Sequence, residues 1–546
     1  MIQTIEGERF NQAVFTSDWR YSAAVVGLIR YFDFCKDNEQ LPDALYEIKS
    51  VFNEVIQGED EALVFNSDDI REDRYIDFVE ASFAKDLQPC QIQEMLKDGT
   101  VSLTAHDKEQ AVRDYKNKHE QNEPDEESLK TLLDEALVAK KKLLNELLNG
   151  NTILKKTFGK TKYDDTNGVE ILETVKANRQ ELIRETYRYK KNLYANFANT
   201  NALLQDAGEA CRLNGYYVDM AKKGKSQGYG FDKNRVDSVD SVIFDFIIFA
   251  FHGGRELFFL NNNFSIETLI ETDSLLLNLE KVIAEKELAS GRAMTPAKIL
   301  WEYLMKVSEN KRGDLEVISK SQDDSYFKTV YIQEPSLEIL RGLGEYREIM
   351  SGMRQGEKVR IIDTIPAALK EVKGNGYINL QNIMIKHIID LVVLDATIEK
   401  FLNYFYNYDD QRGLGRLIKF LIDIDLQIML NRNIDRKEYE VRDMEITMQQ
   451  YMDWARSSAK NVKGVLRGKE KQNKLNTYRA RLMSAVMSHD YERVCEVLLH
   501  LSSYSNVHFG FADAIFKDFE GNKPVLYTFL NALGPDYEKK NQNTNE

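Results

Sequence analysis

Residues 454–487 read WARSSAKNVKGVLRGKEKQNKLNTYRARLMSAVM. Apolar residues recur at intervals of three and four through 447–460 and 474–487, the period of an α-helix. The basic residues share that interval. Arg456, Lys460, Lys463, Arg467, Lys471 and Lys474 fall three or four apart, which stacks side chains along one helix face. With Lys469, Arg479 and Arg481, the stretch holds nine bases against one acid, Glu470. A solvated helix face normally mixes charge signs, and this one hardly does. Gly464 and Gly468 weaken a continuous helix by roughly 1 kcal/mol each relative to Ala. Like charges at this density repel, so folding alone does not favour them, and a polyanion along the face relieves the cost. Arg456, Lys460, Lys463, Arg467, Lys471, Lys474, Arg479 and Arg481 are therefore the candidate DNA-binding residues.

The helical period extends outward from this stretch. It returns in 385–404, 414–430, 491–503 and 525–533, after a hinge signal at Gly374-Asn375-Gly376. Upstream the pattern is mixed. Residues 18–35 predict a helix capped by Asp18, residues 70–120 short acidic helical pieces, and residues 125–148 an amphipathic helix. Residues 169–204 predict a second long helix carrying Arg179, Arg184, Arg188, Lys190 and Lys191. Residues 242–251 (VIFDFIIFAF), rich in β-branched and aromatic side chains, predict a strand that turns at His252-Gly253-Gly254 and returns through 256–260. A second hairpin is expected over 316–332 around Asp323-Asp324-Ser325, with helices at 266–286 and 296–307. The fold class expected is α+β and mostly helical. A mixed α/β N-terminal body with short β-hairpins (1–375) precedes an all-α C-terminal helical bundle (376–536) and a disordered tail (537–546).

Composition narrows the functional classes. The 546 residues are 43% hydrophobic and 29% charged, which is globular. No run of 18 apolar residues predicts a membrane span, and MIQTIEGERF does not read as a signal peptide. Four dispersed cysteines (Cys35, Cys90, Cys211, Cys495) suit a reducing cytoplasm and give no zinc-ligand spacing. The net charge of −15 is uneven. Residues 1–139 carry 31 acids against 14 bases, and the remainder 57 against 59. A low overall pI therefore does not exclude a nucleic-acid partner for the C-terminal part.

A second basic segment, residues 221–237 (AKKGKSQGYGFDKNRVD), mixes Lys222, Lys223, Lys225, Lys233 and Arg235 with glycines, Gln227 and Asn234. Glycine admits a close phosphate, while Gln and Asn can read base edges. Asn261, Asn262 and Asn263 could likewise reach a groove, although three polar residues in a row are commonly just a turn. Lys155, Lys156, Lys160 and Lys162 read as an exposed turn. Catalytic strings fail in context. Gly224-Lys225-Ser226-Gln227-Gly228 lacks the strand and helix of a nucleophile elbow. Gly342-Leu343-Gly344 and Gly413-Leu414-Gly415 lack the third glycine of a dinucleotide loop, and no P-loop or HExxH is present. The histidines are dispersed. His387 and His500 read as core residues, and Asp490 as a helix cap. Paired acids (Asp68-Asp69, Asp323-Asp324, Asp409-Asp410, Asp423/Asp425) are explained by turns and ion pairs. No catalytic residue, metal site or cofactor is expected.

Two patches resemble a known family. Residues 17–28 (SDWRYSAAVVGL) are similar to the opening Trp-containing helix of the large subunit of type I CRISPR surveillance complexes (Cascade), in the I-A/I-B branch. Residues 478–486 (YRARLMSAV) are similar to the C-terminal helical region of that branch. The paired CxxC motifs of many members are missing here. The resemblance implies a non-catalytic subunit at the 5′ handle of a guide RNA. Such a subunit reads the short motif flanking the target DNA, helps open the duplex, holds the displaced strand and recruits a helicase-nuclease. Its partners would be guide RNA, target DNA, and the backbone, 5′-handle-binding and small subunits. Met384 stands where an internal start could yield a separate small subunit. The alternatives are a helical scaffold for an acidic protein partner, or a nuclease with an unrecognised site.

Overall fold

In the computed structural model the basic stretch forms two helices, Met448–Val465 and Lys469–Met487. The structure describes residues 1–7, 9–118, 124–190, 192–197, 203–204, 242–262, 265–290, 293–308, 314–321, 327–348, 356–366, 369–370, 377–407, 413–432, 447–467 and 469–534. The fold is α+β and mostly helical. Two units can be distinguished, residues 1–282 with 316–330, and residues 283–315 with 331–546.

The first unit begins with an antiparallel sheet of order β1-β2-β4-β3: β1 (Ile2–Thr4), β2 (Gln12–Phe15), β3 (Tyr46–Asn53) and β4 (Gly58–Phe65). Alternation along β2 and β4 divides the apolar residues between two faces. Val14, Leu63 and Phe65 enter the main core, while Ala13, Phe15, Ala62 and Val64 form a smaller cluster behind the sheet. Across the main face lies α1 (Trp19–Glu39), started by Asp18, whose carboxylate accepts the Arg20 backbone N–H. Next come α2 (Glu72–Phe83), α3 (Gln88–Met95), α4 (Ala105–Lys118), α5 (Glu126–Leu148), α6 (Thr152–Phe158), α7 (Gly168–Ala177), α8 (Arg179–Arg188) and α9 (Tyr194–Phe197). Leu144, Leu148, Leu154, Ile171 and Leu182 join α5 to α8 in a separate apolar cluster. A second sheet, β5-β6-β7-β8, holds β5 (His252–Gly253), β6 (Glu256–Asn261), β7 (Leu315–Ser321) and β8 (Lys328–Ile332). Its β6–β7 register runs antiparallel from Glu256↔Ser321 to Asn261↔Glu316. Helix α10 (Ile266–Ser290) follows β6.

The second unit contains α11 (Pro296–Ser308), α12 (Glu334–Gly344), short antiparallel pairs β9 (Tyr346–Glu348) with β10 (Lys358–Arg360) and β11 (Leu369–Lys370) with β12 (Tyr377–Ile378), then helices alone. These are α13 (Leu380–Ile389), α14 (Asp395–Asn407), α15 (Leu414–Arg432), α16 (Met448–Val465), α17 (Lys469–Met487), α18 (Tyr491–Ser505), α19 (Ala512–Lys517) and α20 (Lys523–Leu533). Helix α20 is the bundle axis. Val525, Leu526, Phe529, Leu530 and Leu533 are all buried, as expected of a helix that is apolar all round. Helix α16 is set by Thr447, which forms a reciprocal capping box with Gln450.

Three expectations are corrected. The helix expected over 385–404 is two, α13 and α14, parted at residues 390–394. Residues 242–251 are not a strand: Val242–Ala250 is a 3-10 helix, and Ile243–Ala250 are buried. An unbroken apolar run carries no period, so burial on every side suits either element, and packing against α1 and α2 decides. Phe246 meets Tyr31 and Phe78 meets Phe249 at ring-centroid distances of 5.0 and 4.3 Å. The long helix expected over 169–204 is instead α7, α8 and α9, broken at Asn178 and after Arg188. The breaks turn Leu182, Ile183 and Tyr187 inward while Arg179 and Arg184 reach Asp77, Glu80 and Glu72. The tail expected at 537–546 lies outside the described residues.

Candidate nucleic-acid interface

The eight candidate residues of the stretch divide into three sets. Lys463 and Arg479 serve the bundle itself. The Lys463 Nζ donates to the carbonyls of Gly534 (2.8 Å) and Ala532 (3.3 Å). The Arg479 guanidinium, 5% exposed, donates to Gly534 O at 3.1 Å and to Asn476 Oδ1 at 2.9 Å. Both cations thereby close the C-terminal end of α20, where orphan carbonyls and the negative end of the helix dipole gather. Arg456 is half-buried and pairs with Asp453 at 2.6 Å, one turn earlier on α16.

The other five, Lys460, Arg467, Lys471, Lys474 and Arg481, are exposed. Among the described residues none of them lies within ion-pair distance of a carboxylate. This contrasts with α8, whose Arg179, Arg184 and Arg188 are each matched by a glutamate or aspartate. On α17, Lys471, Lys474, Tyr478 and Arg481 fall on one side by their spacing. The Lys474 ammonium stands 5.9 Å over the ring of Tyr504 from α18, and Tyr504 lies 5.7 Å from the Tyr478 ring. Tyr504 is 44% exposed. Cations beside accessible rings are what a single strand needs, phosphates taking the charge and bases the rings. The tyrosines were missed in the sequence because Tyr504 joins the face only through packing of α17 on α18.

The remaining candidates separate in the same way. Lys222, Lys223, Lys225, Gln227, Lys233, Asn234, Arg235 and Asn263 lie outside the described residues. Asn261 is buried, its amide donating to Glu316 Oε2 at 2.5 Å, and Asn262 is 2% exposed. Lys155, Lys156, Lys160 and Lys162 are exposed. Asp490 caps α18 by accepting the Arg493 N–H at 3.0 Å. His387 is half-buried with Nδ1 3.0 Å from Val393 O, but His500, expected in the core, is exposed. His500 directly precedes the buried Leu501, and one step along a helix turns a side chain by about 100°.

The structure also assembles polar clusters that residue spacing did not reveal. His252 is buried between Asp273 (Nε2, 3.0 Å) and Glu280 (Nδ1, 3.3 Å), and Arg30 holds Asp273 bidentately at 2.6 and 2.7 Å. Burial opposes charge on the imidazole, but hydrogen bonds to the two carboxylates outweigh it and raise the pKa. His252 is 2% exposed, and the group joins α1, β5 and α10. In the bundle, the Tyr527 hydroxyl stands 2.8 Å from Glu399 and 3.2 Å from Asp395, and Lys523 pairs with Asp395 at 3.2 Å. Among the described residues no group of three or more His, Cys, Asp or Glu side chains is arranged to hold a metal ion, and no helix is long and apolar enough to cross a membrane.

Comparison with curated proteins gives no match, and comparison with solved structures gives none either. A family model matches residues 10–111 and 108–533, nearly the full length. The chain belongs to the family of CRISPR-associated protein Csx8.

Proposed function

We propose that this CRISPR-associated protein is a non-catalytic, DNA-binding large subunit of an RNA-guided surveillance complex, and that α16 and α17 hold the displaced strand of the target. The observation that carries the reading is the set Lys460, Arg467, Lys471, Lys474 and Arg481, exposed and without ion pairs among the described residues, with Tyr478 and Tyr504 alongside. In a chain of net charge −15 such a surface favours a polyanion over a generic acidic protein, because the accessible rings add a stacking contribution specific to bases. Sequence selection would belong to guide pairing, with this subunit reading the flanking motif, assisting duplex opening and recruiting the helicase-nuclease.

The test is single-strand binding by the full chain across a salt series. Five phosphate contacts predict a log–log slope of about −3.5. Reversing all five charges should abolish retention while thermal stability stays unchanged. Binding that survives the reversal would transfer the function elsewhere. Magnesium-dependent cleavage of the strand, lost on mutation of one carboxylate, would establish a nuclease instead.

A further inference from the structure

In the first unit, residues 46–65 form β3, a turn at 54–57 and β4, with Asn53 opposite Gly58. Side chains alternate along β3, so Tyr46, Ile48 and Phe52 share a face. Tyr46 and Ile48 pack against the main core, whereas Phe52 stands outside it and is 48% exposed. In the turn itself, Val55 and Ile56 are 72% and 59% exposed. Three large apolar side chains thus gather in water at the tip of one hairpin. The tip is held in shape by hydrogen bonds. Asn53, 4% exposed, accepts the backbone N–H groups of Val55 and Ile56 at 3.0 and 3.4 Å and donates to Asp60 at 3.1 Å. From β1, the Gln3 carboxamide donates to Phe52 O at 3.2 Å and accepts the Glu54 N–H at 3.3 Å. Gln57 takes a left-handed φ of 54° and donates back to Glu54 O. A tip already ordered loses little entropy when it binds.

Apolar surface presented in this way meets a protein, a membrane or the interior of a base stack. Charge decides among them. Residues 46–65 carry five acids, Glu47, Glu54, Glu59, Asp60 and Glu61, against one base, Lys49. Glu59 stands opposite Phe52 in the ladder, and Glu54 precedes Val55. Both are exposed, and among the described residues neither lies within ion-pair distance of a cation. Carboxylates placed here repel phosphate, in DNA or on an anionic membrane, and repel the same tip of a second copy. They attract lysine and arginine. We propose that the β3–β4 hairpin docks another protein subunit of the complex, with Phe52, Val55 and Ile56 seated in an apolar pocket whose rim of lysine or arginine pairs with Glu54 and Glu59. Apolar anchors inside a polar rim are the ordinary anatomy of a protein interface. The proposal rests on the surveillance-complex part of the reading above and not on the strand-binding face.

The experiment uses the guide-RNA-bound assembly of the proteins encoded beside this chain, purified without it and titrated with the full-length protein. Val55→Ser combined with Ile56→Ser, at exposed positions, should leave thermal stability unchanged and weaken joining about tenfold or more, as loss of interface anchors does. Glu54→Gln combined with Glu59→Gln keeps the apolar tip and removes its charge. Joining by wild type should weaken as salt rises from about 0.1 to 1 M, where the screening length falls from roughly 10 to 3 Å, and the glutamine pair should lose most of that dependence. Joining that is unaltered in both pairs overturns the proposal. Normal joining by the serine pair with impaired opening of a duplex target also overturns it, and makes the tip a wedge between bases. A dimer of the wild-type chain that the serine pair dissolves, with joining unaltered, overturns it in favour of a second copy. If wild type does not join the assembly, membership of the complex and the proposal fall together, while strand binding on α16 and α17 is read from its own salt series.

Discussion

The ammonium of Lys463 and the guanidinium of Arg479 converge on one atom, the Gly534 carbonyl oxygen, at 2.8 and 3.1 Å. Two members of a basic stripe thus close the C-terminal end of the helix at the centre of the bundle. Removing either leaves a carbonyl short of a charged donor, a loss of roughly 1.5–3 kcal/mol. Lys463→Met and Arg479→Met should therefore lower the urea midpoint clearly. Lys460→Met and Lys471→Met, at exposed positions, should stay within about 0.5 kcal/mol of wild type. Equal effects at all four positions would reject this division of roles.

Gly27 packs against the 3-10 helix so closely that a Cβ there would lie 2.0 Å from the Phe246 carbonyl oxygen. That atom is backbone and cannot turn aside. Gly27→Ala should destabilise the first unit by about 3 kcal/mol, at the upper end of overpacking costs. Differential scanning calorimetry on the variant reads the loss directly, and an unchanged transition would refute the close approach of α1 to this segment.

His252 sets a pH dependence. Its pKa is raised, with burial outweighed by the hydrogen bonds to Asp273 and Glu280, while Arg30 faces the same cluster from α1. A group whose pKa is raised on folding stabilises fully below its unfolded value, near 6.5 for histidine. The contribution fades as pH climbs through the folded value. The stability of wild type over His252→Gln should thus be greatest at about pH 6 and shrink above it. A gap that widens toward alkaline pH would show that the imidazole is held neutral.

Asp425 sets a second pH dependence of the same sign. Burial pushes its carboxyl up to about 7, and Asp395 adds to the rise. Oδ1 accepts the Leu394 N–H at 2.5 Å, whereas the buried Oδ2 has no hydrogen-bond partner among the described residues. The unfolded carboxyl ionises near pH 4 and the folded one holds its proton to about pH 7, so stability falls as pH rises between the two values. Asp425→Asn keeps the acceptor without the charge. It should match wild type at pH 4 and exceed it at pH 8 by up to about 4 kcal/mol. Denaturant titrations at the two pH values test this, and parallel pH profiles would contradict it.

Much of the helical half was legible because its period is strong and its start signals are local. Asp18, Asp125, Thr447 and Asp490 each cap the helix expected after them. The apolar repeat of 525–533 likewise falls in α20, the buried axis of the bundle. The N-terminal sheet was less visible. In β4, polar residues precede a run in which both faces are buried, so alternation is hidden. The 3-10 helix at Val242–Ala250 was misread as a strand because an element buried all round has no polar side to mark its period.

For the candidate site, the chain sequence alone determined that positive charge gathers in 454–487, since charge is a property of the residues and not of their arrangement. Only the tertiary structure decided which charges face outward. Lys463 keeps the helical spacing of its neighbours and Arg479 stands off it, yet α20 ends beside both and its carbonyls draw both inward. Tyr504 joined Lys474 for the same reason, a contact between helices that no interval along one helix encodes. Spacing fixes which residues share a side of a helix, but what meets that side depends on elements distant in the chain.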